Sequence, residues 1–387
     1  MALGLLLKGR AEPLGVLGNL LIQAVKILAS PLLFIAVTEA VIKTTMKITD
    51  FRRLATMVLI NAVAALVIAY TLASWLVGLV SPDALNTVEG ATASIKVPNF
   101  GESIKQLVPQ SLAHPFLEHS VFTLVIFAFF LGWAVKAVKR DQPELGQKTA
   151  QFEGFLAVSF QVLVKIIDAC VVVMPIAVAG VIASVVGTRG LAPFQALAPY
   201  VLAVAIGLIL QMLITYQAWL LWAGFKLKSF WNEVRHTLVY SFGVNSSLAT
   251  LPLTLKSLER LKVSEHSSRL VACVGTNFNN DGILLYQTLA ALFVSRMLGI
   301  EMSFGQELLL LGTCFVTTLG VAGVPEAGIV ALSLVLSYMG VPTEVLAILL
   351  SVDWFLARLR SVVNVTADIT GAVAVDHMAK NAARPRR

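Results

Sequence analysis

A chain of 387 residues that is 57% hydrophobic and only 13% charged falls outside the composition of ordinary soluble domains. Its apolar runs reach the roughly 20 residues that cross a bilayer and recur from end to end, which excludes a soluble enzyme or a nucleic-acid binder and predicts a polytopic membrane protein. The formal net charge of +7 then reads as basic loops biased to one side of a membrane rather than as affinity for acidic partners.

Taken in order, the hydrophobic units fall at 14–42, 54–81, 116–138, 154–187, 193–225, 229–261, 268–298, 304–341 and 343–375. Ahead of them, residues 1–13 carry too short an apolar run before Lys8 and Arg10 for a signal peptide, and read as the stump of a missing or truncated first helix. Lys43, Lys47, Arg52 and Arg53 follow the first unit, Lys136, Lys139, Arg140 and Lys148 the third, and a basic tail at 377–387 ends the chain. The connection at 82–115 is polar and punctuated by Gly and Pro, as in a long external loop.

Two units do not fit a simple crossing. The unit 229–261 is flanked by Lys226 and Lys228 on one side and by Lys256, Arg260, Lys262 and Arg269 on the other, so both ends belong in the cytoplasm and the unit is expected to be a re-entrant hairpin. The unit 304–341 lies between connections poor in basic residues and is expected to enter and leave from outside. The other seven cross, with the N-terminus outside and the C-terminus in the cytoplasm. The cysteines, Cys170, Cys273 and Cys314, lie in apolar segments and suit small buried residues better than a disulfide or a metal cluster.

The last unit carries the strongest signal. At about 100° per residue, Asp353, Arg360, Asn364 and Asp368 fall in one narrow sector of a helix, and Ala357, Ser361 and Gly371 complete that face. An ionisable side chain at the bilayer centre costs about 2.5–3.5 kcal/mol, so this stripe must face a partner, water or a ligand. The hairpin tips are equally unsuited to lipid: SFGVNSSLATLP contains Asn245, Ser246 and Ser247, and LGVAGVPEAG contains Gly323, Val324, Pro325 and Glu326. After each hairpin comes a span with an Asn and, four residues on, an Asp: Asn277 to Asp281, and Asn364 to Asp368. Hairpin, polar helix, hairpin, polar helix with opposite entry sides is an inverted repeat, an arrangement that places broken helices at a midplane site. Asp281-Gly282 is expected to be the break in the first polar helix, because glycine relaxes the backbone there.

The motifs SSLATLP, NFNNDG, GVAGVPEAG and VDWFLARLRSVVNVTADITG resemble those of the dicarboxylate and amino acid:cation symporters, the family that includes the glutamate transporters. The resemblance covers nearly the whole chain and is weaker over the first 225 residues. It implies an all-α integral membrane protein of glutamate-transporter-like fold, with seven spanning helices where the family has eight, and two re-entrant hairpins. It also implies a lipid-embedded homotrimer in the cell (inner) membrane. Spans within 14–225 would mainly form a scaffold and trimerisation surface, and 226–376 a transport core that moves as an elevator. The resemblance makes Arg360 the clamp on a substrate carboxylate, with Asn364, Ser246, Ser247, Ser361, Gly323, Val324 and Ala357 around the substrate. It makes Asp281, Asn279, Asn364 and Asp368 oxygen donors for sodium; apart from the resemblance, Asp353 and Glu326 read as candidate proton or gating groups, with Asp281 a further proton carrier.

Departures from the family pattern carry information too. Where amino-acid transporters keep an aspartate for the substrate ammonium, this chain has Ala357, which favours a C4-dicarboxylate-like substrate. Ile283 stands for a threonine, Asn280 for a methionine, Val321 for a cation-site threonine and Glu326 for a glycine, while Ala64, Ala65 and Leu66 occupy a region that supplies hydroxyls. At least one sodium site is therefore expected to be weakened or absent, with a proton as the alternative coupling ion. Arg358 adds a second positive charge that the family does not usually have there, one that either pairs structurally or touches substrate.

Other readings remain open at this level. Arg360 and Asp353 can form an internal ion pair, Asp281 and Asp368 can be neutral and hydrogen-bonded, and Ser246 and Ser247 can serve only the hairpin backbone. The chain reads as a carrier and not an enzyme: NNDG is not an aspartyl-protease pattern, and Arg360 would keep both aspartates ionised. The functional expectation is a symporter of small carboxylates driven by sodium or protons. An acidic or neutral amino-acid:sodium symporter is the alternative, and a non-transporting sensor or anion-leak channel on the same scaffold is the reading from another class.

Overall fold

A computed structural model describes residues 6, 8–43, 47–76, 111, 113–117, 121–190, 197–298, 300, 302–320 and 327–383. The described residues are mostly helical, with no strand among them. In chain order the main helices are α1 Glu12–Lys43, α2 Ile48–Leu76, α3 Val121–Asp141, α4 Gly146–Arg189, α5 Leu197–Leu210, α6 Gln217–Trp222, α7 Leu227–Val244, α8 Ser247–Arg260, α9 Glu265–Arg269, α10 Asp281–Met297, α11 Phe304–Gly320, α12 Ala327–Tyr338 and α13 Thr343–Ala383. Two π-helical turns interrupt the regular pattern, Gln211–Tyr216 between α5 and α6 and Leu270–Val274 after α9. By length and composition alone, three helical stretches are apolar enough to cross a membrane: Ile48–Trp75, Pro143–Ile167 and Leu197–Trp222.

The chain forms two compact units, 1–45 with 76–200 and 290–353, and 46–75 with 201–289 and 354–387. The expected scaffold segment 14–225 is distributed over both. In the first unit α1 runs along α4, with glycines at the closest approaches. A Cβ on Gly18 would come within 2.3 Å of the Ala177 carbonyl oxygen, and one on Gly180 within 2.7 Å of the Leu14 carbonyl. Small residues let helix backbones pack where side chains would hold them apart.

In the second unit, α2, α7, α8 and α13 share a core of Leu54, Met57, Phe230, Val234, Leu258 and Ile369. The hairpin expected at 229–261 consists here of α7 and α8, with its tip at Asn245 and Ser246. Asn245 ends α7 in the left-handed conformation at φ 54°, its N–H donating to the Ser241 carbonyl. Asn tolerates that region better than most residues. Ser246 caps α8 by accepting from the Ala249 N–H at 3.2 Å. Further down, the hydroxyls of Thr237 and Ser257 meet at 2.8 Å and join the two arms.

The segment expected to be a single broken helix at 268–298 is broken earlier than its sequence suggested. After the π turn come a 3-10 turn, Gly275–Asn277, and then non-helical Asn279 and Asn280, while Asp281 and Gly282 open α10. The break falls ahead of Asp281 because Asn280 turns its amide back onto the Thr276 carbonyl at 3.2 Å and the Gly282 N–H is capped by Asn364 at 2.8 Å. An acidic residue also suits the positive end of a helix. In the first unit the second hairpin is represented by α11 and α12; its tip, 321–326, lies outside the described residues.

Candidate functional site

The start of α10 is where the buried polar groups of the second unit converge. Asp281 is 2% exposed, and its Oδ2 accepts from the Tyr216 hydroxyl at 2.9 Å and from the Gln211 Nε2 at 3.2 Å. Gln211 also donates to the Asn61 backbone carbonyl at 3.2 Å, and its own Oε1 accepts from Thr215 Oγ1 at 3.2 Å. The side chain of Asn61 extends the network: its Oδ1 accepts from the Trp219 indole at 2.7 Å, and its Nδ2 donates to Asn279 Oδ1 at 3.1 Å.

A second connection ties α10 to α13. Asn364 accepts from the Gly282 N–H at 2.8 Å and donates to Asn280 Oδ1 at 3.3 Å, so one amide grips both sides of the helix break. Only glycine fits here, since a Cβ at position 282 would lie 2.8 Å from the Arg360 carbonyl oxygen and 2.9 Å from Asn364 Oδ1. One turn before Asn364, Arg360 is 3% exposed and its guanidinium carbon lies 3.9 Å from the centre of the Tyr286 ring. Stacking on an aromatic face stabilises a desolvated cation. It also orients the guanidinium fork, whose planar geometry matches a carboxylate in two hydrogen bonds.

Asp368 differs from Asp281. The polar side chains that act on it are those of Thr276 and Asn279, yet its Oδ1 and the Asn279 Nδ2 are both buried without a normal hydrogen bond among the described residues. A buried carboxyl oxygen left in that state is costly and marks the position as one whose satisfaction needs explaining.

The remaining expected residues sort as follows. Ser361 is buried and its hydroxyl meets Ser241 of the first hairpin at 2.9 Å. Ser246 and Ser247 are half-buried at the hairpin tip, and Ala357 is buried. Asp353 is buried and falls in the first unit. Gly323, Val324, Glu326 and Val321 lie outside the described residues. Arg358 turns back on Trp354, donating to its carbonyl at 2.5 Å with the guanidinium 5.7 Å from the ring centre. Sequence reasoning missed Asn61, Gln211, Tyr216 and Trp219. Their signal was available as an isolated amide in LINAVAAL and a Gln, Thr and Tyr in the otherwise apolar LILQMLITYQAW.

The family described as "Sodium:dicarboxylate symporter family" matches residues 1–378. The human protein "Excitatory amino acid transporter 1" (Homo sapiens) is 33% identical over 273 residues, which covers 68% of this chain and 48% of the relative. The protein of the same name from Ambystoma tigrinum is 37% identical over 186 residues, 47% of this chain and 34% of the relative. "C4-dicarboxylate transport protein 3" of Ralstonia nicotianae is 26% identical over 371 residues, covering 93% of this chain and 81% of that protein. The chain thus spans half or less of the length of these two amino acid transporters.

Proposed function

We propose, for a chain that belongs to the sodium:dicarboxylate symporter family, a secondary active carrier that moves a small carboxylate across the membrane together with a cation. Members of this family are integral membrane transporters and not enzymes, and the all-α architecture of the described residues agrees with that class. The observation that carries the proposal is the buried Arg360 guanidinium, stacked on Tyr286 one turn from Asn364. The substrate is a C4-dicarboxylate-like anion. One carboxylate docks on Arg360, with Asn364 and Ser361 beside it and the Ser246-Ser247 tip completing the contacts from the second unit.

An amino acid is the second substrate reading, favoured by the names of the animal relatives. Against it stands Ala357, a buried methyl where an ammonium would need a carboxylate. The co-transported ion is sodium, held at Asp368 with Asn279, and a proton on Asp353 or Glu326 is the alternative driver. The working form is a homotrimer in the cell membrane with its C-terminus in the cytoplasm, and transport proceeds by an elevator-type movement of the core.

A thermal-shift panel of carboxylates and amino acids, each in sodium, potassium or at low pH, tests the substrate class. A ligand bound only by the native state stabilises it by RT ln(1 + [L]/Kd), about 2.7 kcal/mol at a hundredfold excess over Kd, and so raises the melting temperature. The expected result is a sodium-dependent rise with a four-carbon dicarboxylate. A rise with an amino acid that disappears with its deaminated analogue assigns the chain to the amino-acid reading.

A further inference from the structure

We infer that Gln211 stands in for a transported cation beside Asp281, so that this carboxylate is a fixed anchor of the helix break and takes no coupling ion. The inference rests on the symporter reading and sharpens it: Asp368 is left as the aspartate of the second unit that a travelling cation serves.

The hydrogen-bond roles admit one orientation. Gln211 faces two acceptors, the Asp281 carboxylate at 3.2 Å and the Asn61 main-chain carbonyl at 3.2 Å. Neither can donate, so the amide nitrogen must point at both and spends its two protons on them. Thr215 donates to the amide oxygen behind, which locks the same choice. The position is therefore bridged by a positive pole between a carboxylate and a carbonyl, the ligand types a hard cation would take. Tyr216 adds a second donor to Asp281 at 2.9 Å.

The backbone is shaped for this clamp. On a regular helix, positions five apart differ by about 140°, so Gln211 and Tyr216 would point to different sides. The π turn Gln211–Tyr216 follows i→i+5 bonding and brings the two onto one side, where both reach Asp281. Single π turns of this kind recur at functional positions. Gln211, Tyr216 and Asn61 are fully buried.

The neighbouring amides show the contrast with Asp368. Trp219 has only a donor, which fixes the Asn61 oxygen toward it and the Asn61 nitrogen toward Asn279. Asn279 is thereby turned so that its own nitrogen is buried without a normal partner, as is Asp368 Oδ1. Asp281 holds two side-chain donors at normal distance on one oxygen, whereas Asp368, with Thr276 and Asn279 beside it, keeps its Oδ1 buried without a normal hydrogen bond among the described residues.

The test is sodium-dependent thermal stabilisation of the full-length protein in detergent, at constant ionic strength against choline, for wild type, Gln211→Glu and Gln211→Glu with Asp281→Asn. Replacing the amide nitrogen by a carboxylate oxygen removes the internal positive pole. Gln211→Glu is therefore expected to gain a sodium response beyond wild type, with a Hill slope higher by about one, and Asp281→Asn is expected to abolish the gain. A sodium titration unchanged between wild type and Gln211→Glu overturns the inference. Should Gln211→Glu fail to fold, Gln211→Ala decides: it is expected to gain sodium dependence, and an unchanged titration is again the contrary result. Failure of the symporter reading appears separately, as absence of saturable carboxylate uptake by the wild type.

Discussion

Gly282 is the residue on which the candidate site depends most tightly. Its missing side chain lets α10 close onto the Arg360 carbonyl, and its N–H is the group that Asn364 holds. Gly282→Ala would place a methyl carbon below 3.0 Å from two oxygens, and overpacking of this kind costs about 1–3 kcal/mol. The expected outcome is a lower melting temperature together with weaker ligand-induced stabilisation, because the same displacement moves Arg360 and Asn364. A variant that melts as wild type and retains its ligand shift would show that the contact is not constraining. Arg360, Asn364 and Asp368 could be picked out of the sequence because charges and amides at helical spacing in an apolar span are expensive and conspicuous. Gln211 and Tyr216 could not be paired in the same way. Helical periodicity places residues five apart on different sides, and the π turn that reunites them leaves no mark on the pattern. The different hydrogen-bond surroundings of the two aspartates were likewise hidden, since NxxxD reads alike at Asn277 to Asp281 and at Asn364 to Asp368.

At the scale of elements, hairpin tips and helix ends follow local chemistry that a sequence displays directly. Asn245 in the left-handed region and Ser246 as cap end one helix and begin the next. The helix break was legible only to within a turn, because its position is set by where the amides of Asn280 and Asn364 find partners and not by glycine. The far end of α13, beyond the apolar run, is tied down by Asp376. Its carboxylate accepts from the Ser264 hydroxyl at 2.5 Å and pairs with Lys380 at 2.6 Å. Burial alone would push the Asp376 carboxyl up, but the hydrogen bonds from Lys380 and Ser264 and the Lys380 charge outweigh it and hold it below the usual carboxylate range. A carboxyl lowered by folding contributes stability that is present above its unfolded value, about 3.9, and is lost as pH falls through the lower folded value. Asp376→Asn is therefore expected to melt below wild type at neutral pH, with the difference shrinking on acidification below about pH 4. A difference that grows as pH falls would contradict the assignment.

For the whole molecule, membrane class followed from composition, and four motifs in order pointed to the family that the match over residues 1–378 establishes. The grouping into units was not legible. Residues 46–75, an early span, cluster with 201–289 and 354–387, because Asn61 and Met57 are drawn into the polar and apolar contacts around α10 and α13. Such long-range partnerships depend on side chains more than two hundred positions away. The most direct measurement is uptake of labelled succinate into proteoliposomes under an inward sodium gradient, for wild type and Arg360→Ala. The expected result is saturable, sodium-stimulated uptake by the wild type that falls to background in the variant. Uptake that Arg360→Ala leaves intact, or none by the wild type under any gradient, would contradict a carboxylate carrier built around Arg360.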